Sequence, residues 1–407
     1  MHAHVPVAIL GETGHDLARP ECVLAHASGL LFAPDWGGDG GVAVIGTDGA
    51  VHRIHATSGD PTVPRPLRPN GIALEPGGTF LLAHLGESTG GVFRLHADGE
   101  VERVVDSVDG EPLPPTNFVV ADASGRLWIT VSTRVTPRAD DYRAGAASGF
   151  VAVASPGERE ARIVADGLGY ANECVVDAAR GALYVNETFG RRLTRFALDP
   201  DGRVGERRTL AGFGPGTYPD GLALDVEGAL LVTSIVSNRV LRITPDGVVT
   251  TVLEDSDAAH LAWTEAAYLA DALGRPHLDI AKGRRLKNLS NLAFGGPDMR
   301  TAWLGNLLGT TIPRVRLPVA GAEMVHYRAP LGPLASFADD AFTDDVSTDD
   351  RFARGAITDG ASGGIGSARA GTRGTRDTAA PASRDDALDR ASRSNASFQP
   401  VPDDPDR

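Results

Sequence analysis

Six segments of the chain share one order of polar and apolar positions: a polar residue, an apolar stretch, a Gly or Asp turn, and a second apolar stretch. Two of them read NGIALEPGGTFLLA and DGLALDVEGALLVT. Each segment predicts a strand, a short turn and a second strand. The opening polar residues recur roughly every 50 residues, the period of a propeller blade, with a longer last interval. They are Glu21, Asn70, Asn117, Asn172, Asp220 and Ser290.

Two further strands follow several of these segments. The stretches Gly91–Val105 and Val240–Glu254 each predict a strand pair around an Asp-Gly turn. Four strands per unit and six units predict an all-β fold, a six-bladed β-propeller with four-stranded blades. Because one blade cannot bury both of its faces, the ring must close, and we expect closure by pairing near Val5–Leu10 and Glu323–Tyr327.

One long segment interrupts the repeat before the last blade. Residues 257–282 predict a helical insertion, since apolar residues recur at helical spacing before Gly274-Arg275-Pro276 ends the run. The predicted packing face consists of Trp263, Ala267, Ala270 and Leu273. The insertion either packs on the propeller rim or forms a lid over it.

The C-terminal part of the chain differs in composition. From residue 334 onward it is rich in Asp, Arg, Ala, Ser, Gly and Thr, and large apolar residues are sparse. Such a segment buries too little surface to offset the entropy of ordering, so it is predicted to be disordered. The expected organisation is a six-bladed propeller domain over residues 1–333 and a disordered low-complexity tail over residues 334–407.

The polar residue that opens each unit has a predicted common position. The first strand of a propeller blade lines the central channel, so these six side chains should converge near the axis. Two carboxylates meeting in a low-dielectric channel repel each other, and a divalent cation removes that cost. Carboxylate and amide oxygens suit hard cations, and calcium accepts six to eight of them. The predicted metal ligands are Glu21, Asn172, Asp220 and Asn117, with Asn117 as a substrate contact in the alternative.

Other interpretations of these positions stay open. Asn-Gly and Asp-Gly are ordinary turn dipeptides, and Pro245-Asp246-Gly247 is predicted to be only a turn. Asn70 either satisfies channel water and backbone or contacts substrate. The two cysteines, Cys22 and Cys174, are expected to be buried, inert thiols, with Cys22 pointing away from the channel by strand alternation.

Substrate choice is expected to come from the rim of the channel. The second strand of each blade ends on the side where the first strand begins, which brings Trp36, Glu187 and Asn306 to the mouth as substrate-binding candidates. The loop 132–147 joins the same rim, and its arginines could meet an anionic substrate. Most of these loop residues are individually expected to be solvated.

Charge and composition narrow the classes of partner. The formal net charge is −14, which argues against a nucleic-acid partner, because phosphate binding needs clustered Lys and Arg. The N-terminus MHAHVPVAILGETG lacks the features of a signal peptide, and no apolar run is long enough to span a membrane. The prediction is a cytoplasmic protein that acts on a small molecule, without a membrane partner and with its oligomeric state undetermined.

The repeat motifs resemble those of the senescence marker protein (regucalcin)/gluconolactonase family, and more distantly diisopropyl fluorophosphatase. The motifs are RPECVL, RPNGIAL, PTNFVVADASGRLW, YANECVVD, YPDGLALD and LAFGGPDMRTAWLG, and the resemblance runs from about Leu17 to Tyr327. It implies a divalent metal in the channel, held by Glu21, Asn172 and Asp220, with Asn117 as the family's additional channel asparagine. Calcium is the expected ion, with zinc, magnesium or manganese as alternatives.

Two departures from the family pattern narrow the expected substrate. The family members that act on sugar acids place an arginine shortly before the channel asparagine, whereas Leu113–Thr116 contains none. Gluconolactone itself is therefore not the expected substrate. The fluorophosphatase places a histidine where this chain has Asn306, so phosphotriester chemistry is not expected either.

The predicted function is a metal-dependent hydrolase acting on a small lactone or related ester. The channel metal would act as a Lewis acid and Asp220 as the general base. Two alternatives come from other classes, since a fold does not determine a function. One is a non-catalytic calcium-binding or scaffold propeller, and the other is a strictosidine-synthase-like enzyme, which does not use this metal set.

Overall fold

The computed structural model describes residues 8–338, in which strands predominate. In chain order the strands of the first half are β1 (Ile9–Thr13), β2 (Leu24–Ala25), β3 (Leu31–Asp35), β4 (Gly41–Ile45), β5 (Val51–His55), β6 (Pro69–Glu75), β7 (Thr79–His84), β8 (Val92–Leu95), β9 (Val101–Val105), β10 (Ser107–Val108), β11 (Glu111–Pro112), β12 (Phe118–Ala121) and β13 (Leu127–Val131). The second half contains β14 (Gly149–Ala154), β15 (Glu160–Leu168), β16 (Ala171–Asp177), β17 (Ala182–Glu187), β18 (Arg192–Leu198), β19 (Val204–Gly212), β20 (Tyr218–Leu224), β21 (Leu230–Ile235), β22 (Arg239–Ile243), β23 (Val249–Glu254), β24 (Leu289–Gly295), β25 (Thr301–Asn306) and β26 (Ile312–Arg316). The helices are α1 (Ala258–Leu269) and α2 (Arg275–Leu278), with 3₁₀ segments at Arg138–Asp141, Ala178–Arg180 and Gly332–Phe337.

These strands form six antiparallel four-stranded blades in a ring, which confirms the predicted propeller. The blades are β2–β5, β6–β9, β12–β15, β16–β19, β20–β23 and β24–β26 with β1. The third blade also carries the hairpin β10–β11 at its outer edge, where β10 pairs in parallel with β15. In every blade the first strand is the innermost one, so all six opening segments line the channel.

The ring closes through the N-terminal strand. Strand β1 pairs antiparallel with β26, so that Thr13 lies opposite Ile312 and β1 becomes the outer strand of the sixth blade. The prediction of an N-terminal closing strand near Val5–Leu10 is right in part, since β1 begins at Ile9, but the prediction of a second closing strand at Glu323–Tyr327 was wrong. Those residues form no strand, because their backbone bonds to the ends of other blades, as when Tyr327 O accepts from the amide of Ala27 at 2.8 Å.

The core lies between neighbouring blades. Its largest cluster joins the first four blades and contains Phe32, Phe80, Phe93 and Trp128, all fully buried. Phe32 and Phe80, from adjacent blades, pack edge to face at 5.1 Å between ring centroids. Contacts of this kind bury the second face of each blade, which is why the repeat needs a closed ring.

The helical insertion lies between β23 and β24, as predicted, but the predicted packing face is only partly buried. Leu273 is 6% exposed, and Ala267 packs against the apolar cluster that contains it. Trp263 is 44% exposed, and Ala270 is also exposed.

The buried side chains of α1 are His260, Thr264 and Tyr268. The Tyr268 hydroxyl donates to the carbonyl of Phe189 at 2.6 Å, which ties the helix to the rim of the fourth blade. Tyr268 also belongs to the apolar cluster, so both contacts favour this orientation.

The described residues extend a short way into the predicted tail. Leu334, in the 3₁₀ segment Gly332–Phe337, is fully buried within the largest core cluster. The rest of the tail predicted to be disordered, residues 339–407, lies outside the described residues.

Within residues 8–338, no helix is long and apolar enough to cross a membrane.

Candidate active site

The residues that open the inner strands lie at breaks in the strand pairing. In four blades the register between the first and second strands shifts at this point. Such a bulge bends the strand and redirects its side chains. In the other two blades the residue lies before the paired part of the strand, Asn117 directly before β12 and Glu21 three residues before β2. The same local irregularity therefore recurs around the channel.

The Asn-Gly and Asp-Gly pairs at this position are not turns. Gly71 and Gly221 lie within strands and do not adopt left-handed φ angles, whereas Gly247 has φ +89° and forms the predicted turn. A Cβ atom on Gly71 would lie 2.8 Å from Cα of Phe118, and one on Gly221 would lie 2.4 Å from the carbonyl oxygen of Ser290. Glycine is required because the next blade approaches closely.

Hydrogen bonds from this ring of residues connect adjacent blades. The side-chain amide of Asn70 donates to the carbonyl of Asn117 at 3.1 Å, and the Ser290 hydroxyl donates to the carbonyl of Glu21 at 2.6 Å. These bonds give Asn70 and Ser290 a structural role. They also hold Glu21 and Asn117 at a fixed depth in the channel.

The structure brings Glu21, Asn172 and Asp220 together inside the protein, each at most 7% exposed. The Asn172 amide donates to the Thr188 hydroxyl at 3.1 Å and is also within hydrogen-bonding reach of Asp220. Burial, together with the carboxylates of Glu21 and Glu173, raises the pKa of Asp220 well above its usual range. Arg19 offsets part of this repulsion through its ion pair with Glu21, at 2.8 Å.

The oxygen atoms of the ring fit a hard divalent cation. The side-chain oxygens of Asn70 and Asn117 are buried and accept no hydrogen bond, a state that is costly for an amide. Residues 8–338 contain no group of three or more His, Cys, Asp and Glu side chains arranged to hold a metal. The candidate set is instead mixed, with the carboxylates of Glu21 and Asp220 and with amide oxygens, which is the chemistry that calcium accepts.

One channel residue, Glu173, was missed by reasoning from the sequence. It follows Asn172 within the bulge and is almost fully buried, accepting from the Leu222 amide at 2.9 Å and the Asn291 side-chain amide at 2.8 Å. Burial raises its pKa to about 8 despite these two donors, and the nearby Glu21 adds to the rise. The available signal was an acidic residue inside the otherwise apolar stretch around it, ANECVV.

Beyond the ring, the channel becomes apolar and then closes. A cavity of about 60 Å³ is lined by apolar residues of all six inner strands and by both cysteines. Cys22 therefore faces the channel, contrary to the prediction from strand alternation. Burial raises the thiol pKa of both Cys22 and Cys174, and both are free. Met324, His326 and Tyr327 form the floor of this cavity.

A larger cavity of about 670 Å³ lies at the predicted mouth; none of the six ring residues lines it, but its lining includes Arg19, which pairs with Glu21. Trp36 lies in its wall, as predicted, with its indole N–H donating to the carbonyl of Pro69 at 2.6 Å. The guanidinium of Arg19 lies 4.6 Å above the centre of the Trp36 ring and links this wall to Glu21. Arg138, Tyr142 and Arg275 contribute to the other side.

Glu187, predicted to bind substrate at the mouth, is engaged in structural contacts instead. It is fully buried, and its carboxylate accepts from Arg192 at 2.8 Å, from Arg207 at 3.1 Å, from Thr194 and from the amide of Gly169. These donors leave no room for a ligand, so we do not retain the substrate role of Glu187.

Asn306 is likewise committed to a local contact. Its side chain caps the turn before β26, donating to the carbonyl of Thr311 at 2.9 Å and accepting from the amide of Gly309. It does not line the cavity at the mouth. Asn306 therefore has a structural role, not the predicted substrate-binding one.

Comparison with known proteins identifies the family. The sequence model described as SMP-30/Gluconolactonase/LRE-like region matches residues 46–260, more than half of the chain. The chain belongs to this family. The 6-deoxy-6-sulfogluconolactonase of Pseudomonas putida is 29% identical over 205 residues, which span 49% of this chain and 66% of that relative, just under two thirds of its length.

Solved structures establish the shared fold of this family member. A gluconolactonase from Xanthomonas campestris is 21% identical with a TM-score of 0.54, covering 78% of this chain and 96% of its own. A calcium-binding protein, regucalcin, from Agrobacterium tumefaciens is 18% identical with a TM-score of 0.55, covering 81% and 100%. At these identities the similarity concerns the propeller and its closure.

Proposed function

We propose that the protein hydrolyses a small lactone, using one divalent cation held in the channel. Membership of the SMP-30/gluconolactonase family supports lactone hydrolysis as the general activity. The observation that best supports a bound metal ion is the ring itself, in which Glu21 and Asp220 are buried together beside amide oxygens that lack partners. Calcium is the first candidate ion because all the available donors are oxygens.

Each ring residue has a role in this proposal. Glu21, Asn172 and Asp220 would hold the cation, with Asn117 as a fourth ligand or a contact to substrate. When bound, the cation supplies Lewis-acid polarisation of the ester carbonyl. Asp220 accepts the proton of the attacking water, which makes the water a better nucleophile.

The mouth orients the substrate in this account. Trp36 offers an apolar ring at the entrance, where it can cover one face of a lactone, and Arg19 holds both this ring and Glu21 in place. Asn70 lies one blade further, with its unpartnered oxygen available to a substrate hydroxyl. The named activities of the relatives, a sulfogluconolactonase and a gluconolactonase, support a polar sugar-type lactone. We further propose a cytoplasmic location.

A lactone panel with metal removal tests the proposal. We expect hydrolysis of at least one sugar lactone, its loss after dialysis against a chelator, and its recovery when calcium, zinc, magnesium or manganese is added back. Metal binding without hydrolysis of any lactone would contradict the proposed enzymatic activity and favour a non-catalytic calcium-binding propeller. Activity that survives complete metal removal would contradict the proposed role of the cation and indicate a metal-free mechanism.

A further inference from the structure

The cavity at the channel mouth carries more positive than negative charge. Its lining includes three arginines, Arg19, Arg138 and Arg275, and one acidic residue, Glu87. Arg19 pairs with Glu21 at 2.8 Å, which directs its charge toward the ring. Arg275 pairs with a carboxylate on the outside of the cavity, Asp279, at 2.7 Å. One arginine of the three is left without such a partner.

That residue is Arg138. Within residues 8–338 its guanidinium forms no ion pair, and its hydrogen bonds go to the Tyr170 hydroxyl, from Nε at 3.2 Å and from a terminal nitrogen at 3.0 Å. Its side chain is partly buried, and the Tyr170 ring centre lies 5.9 Å away. The Glu21 carboxylate attracts this guanidinium only from beyond ion-pair distance. A directly bonded negative group stabilises a partly buried cation further, so the position suits an anionic group of a bound molecule.

The neighbouring arginines of the same loop do not share this property. Arg134 is exposed, pairs with Asp166 at 2.8 Å and lies over a ring outside the cavity. Arg143 pairs with Asp141 at 3.2 Å. The loop thus presents several arginines in the sequence, but the structure leaves only Arg138 both in the cavity and without a carboxylate.

We propose that Arg138 binds an anionic group of the substrate, a carboxylate or sulfonate remote from the ester that is cleaved. This inference rests on the proposed lactonase function and assigns its substrate class, an acidic lactone. The planar guanidinium matches the paired oxygens of such a group, and Tyr170 orients it by accepting two of its N–H bonds. Trp36, which lines the same cavity, would pack against the sugar ring.

The test compares two lactones that differ in a single group. D-glucaro-1,4-lactone carries a carboxylate where D-glucono-1,4-lactone carries a hydroxymethyl group. We expect the wild type to favour the glucarolactone by at least about tenfold in kcat/KM, because a charge-assisted hydrogen bond contributes about that much. Arg138→Gln should remove this preference mainly through KM, and Arg138→Lys should keep part of it.

Arg134→Gln is the matched control, because it removes a positive charge from the same loop outside the cavity. It should leave both lactones unaffected. Equal kcat/KM for the two lactones in the wild type, or an unchanged preference in Arg138→Gln, would overturn the inference while the lactonase proposal stands. If neither lactone is hydrolysed, calorimetric titration with D-glucarolactone decides the inference, and the lactonase proposal fails only if no other sugar lactone of the panel is hydrolysed either. Binding that weakens at least about tenfold in Arg138→Gln alone would support it, and absence of binding would overturn it.

Discussion

The two ends of the channel are built from the same six strands but have opposite chemistry. At the mouth end, the residue at each strand irregularity is polar and buried, and several of its oxygens lack partners. Only a few residues further along the same strands, the lining is mostly apolar, its buried Glu173 and Asn291 side chains bond to each other, and Met324, His326 and Tyr327 form the floor. One end thus keeps oxygens without partners, whereas Glu173 and Asn291 at the other end have partners within the protein.

This difference indicates that function and stability are separated along the strand. Polar groups at the ring lose hydration without gaining a full set of hydrogen bonds. This lowers the free energy of unfolding unless a bound ligand supplies the missing interactions. Residues at the far end contribute by packing, as any core residue does. Substitutions at the two ends should therefore affect different measurements, and the following predictions depend on that separation.

The largest effect is expected for Asp220→Ala. If Asp220 is the proposed metal ligand and general base, its loss should lower kcat by about 10³-fold. Asp246→Ala is the control, since Asp246 lies in an exposed turn and bonds only to Thr244. Steady-state hydrolysis of the preferred lactone measures both variants. Near-normal activity in Asp220→Ala, or equal losses in the two, would contradict the assignment.

His326, in the floor of the channel, should lower the stability of the fold as the pH falls, whereas the raised pKa values of Glu173 and Asp220 act in the opposite direction. Burial, with a smaller contribution from the nearby charge of His26, lowers the pKa of His326 from 6.5 to about 4. Because the folded pKa lies below the unfolded one, this stabilisation is complete above pH 6.5 and is lost as the pH falls toward 4. At about 1.4 kcal/mol per unit, the loss is at most about 3 kcal/mol.

His326→Gln should flatten this dependence, because glutamine does not titrate. Urea unfolding at pH 7.5 and pH 4.5 gives the free energies for the wild type and the variant. An equally steep decline in His326→Gln would show that other groups cause it. Metal binding at the ring should be the same in both proteins at pH 7.5.

Asn117→Leu separates ligand binding from stability at the ring. The buried oxygen of Asn117 has no partner, so removing it should not destabilise the metal-free protein. It should nevertheless weaken metal binding by at least about tenfold, as lost support of a metal site usually does. Asn70→Leu provides the contrast, since it deletes the bond to the Asn117 carbonyl and should lower stability. Calorimetry and urea unfolding measure the two effects, and unchanged metal affinity in Asn117→Leu would remove Asn117 from the ligand set.

The smallest effect is expected at the apolar end. Cys174→Ala removes a buried sulfur from a packed wall and should lower the free energy of unfolding by about 1 kcal/mol. Lactone hydrolysis and metal affinity should not change. A loss of activity without a loss of stability would mean that the far end of the channel takes part in the chemistry.

The fold was predictable because a regular repeat of strand-forming segments is compatible with few architectures. A polar residue before an apolar strand, recurring six times, is explained by blades around a channel, and the structure confirms this architecture. The closing strand was predictable only in part: an N-terminal strand was expected, but its partner is β26 and not residues 323–327, because the pairing depends on the packed ring. The buried face of α1 likewise depends on tertiary contacts, the apolar cluster around Tyr268 and its bond to Phe189.

The candidate site was predictable in part. Spacing alone pointed to Glu21, Asn172 and Asp220, which the structure brings together. Strand alternation failed for Cys22 and Glu173, because the irregular pairing at the strand openings changes which side chains face the channel. Position in the blade placed Glu187 at the mouth, but the arginines of the next two strands engage its carboxylate, and no local pattern reveals that contact.

The most direct test of the central claim is the metal content of the purified protein, together with its melting temperature as calcium is added. The account predicts about one divalent ion per chain and a stabilisation of about 3 kcal/mol at a hundredfold excess over Kd. Asp220→Ala should lose both the ion and the shift. A wild-type protein without bound metal, whose melting temperature does not respond to calcium, zinc, magnesium or manganese, would contradict it.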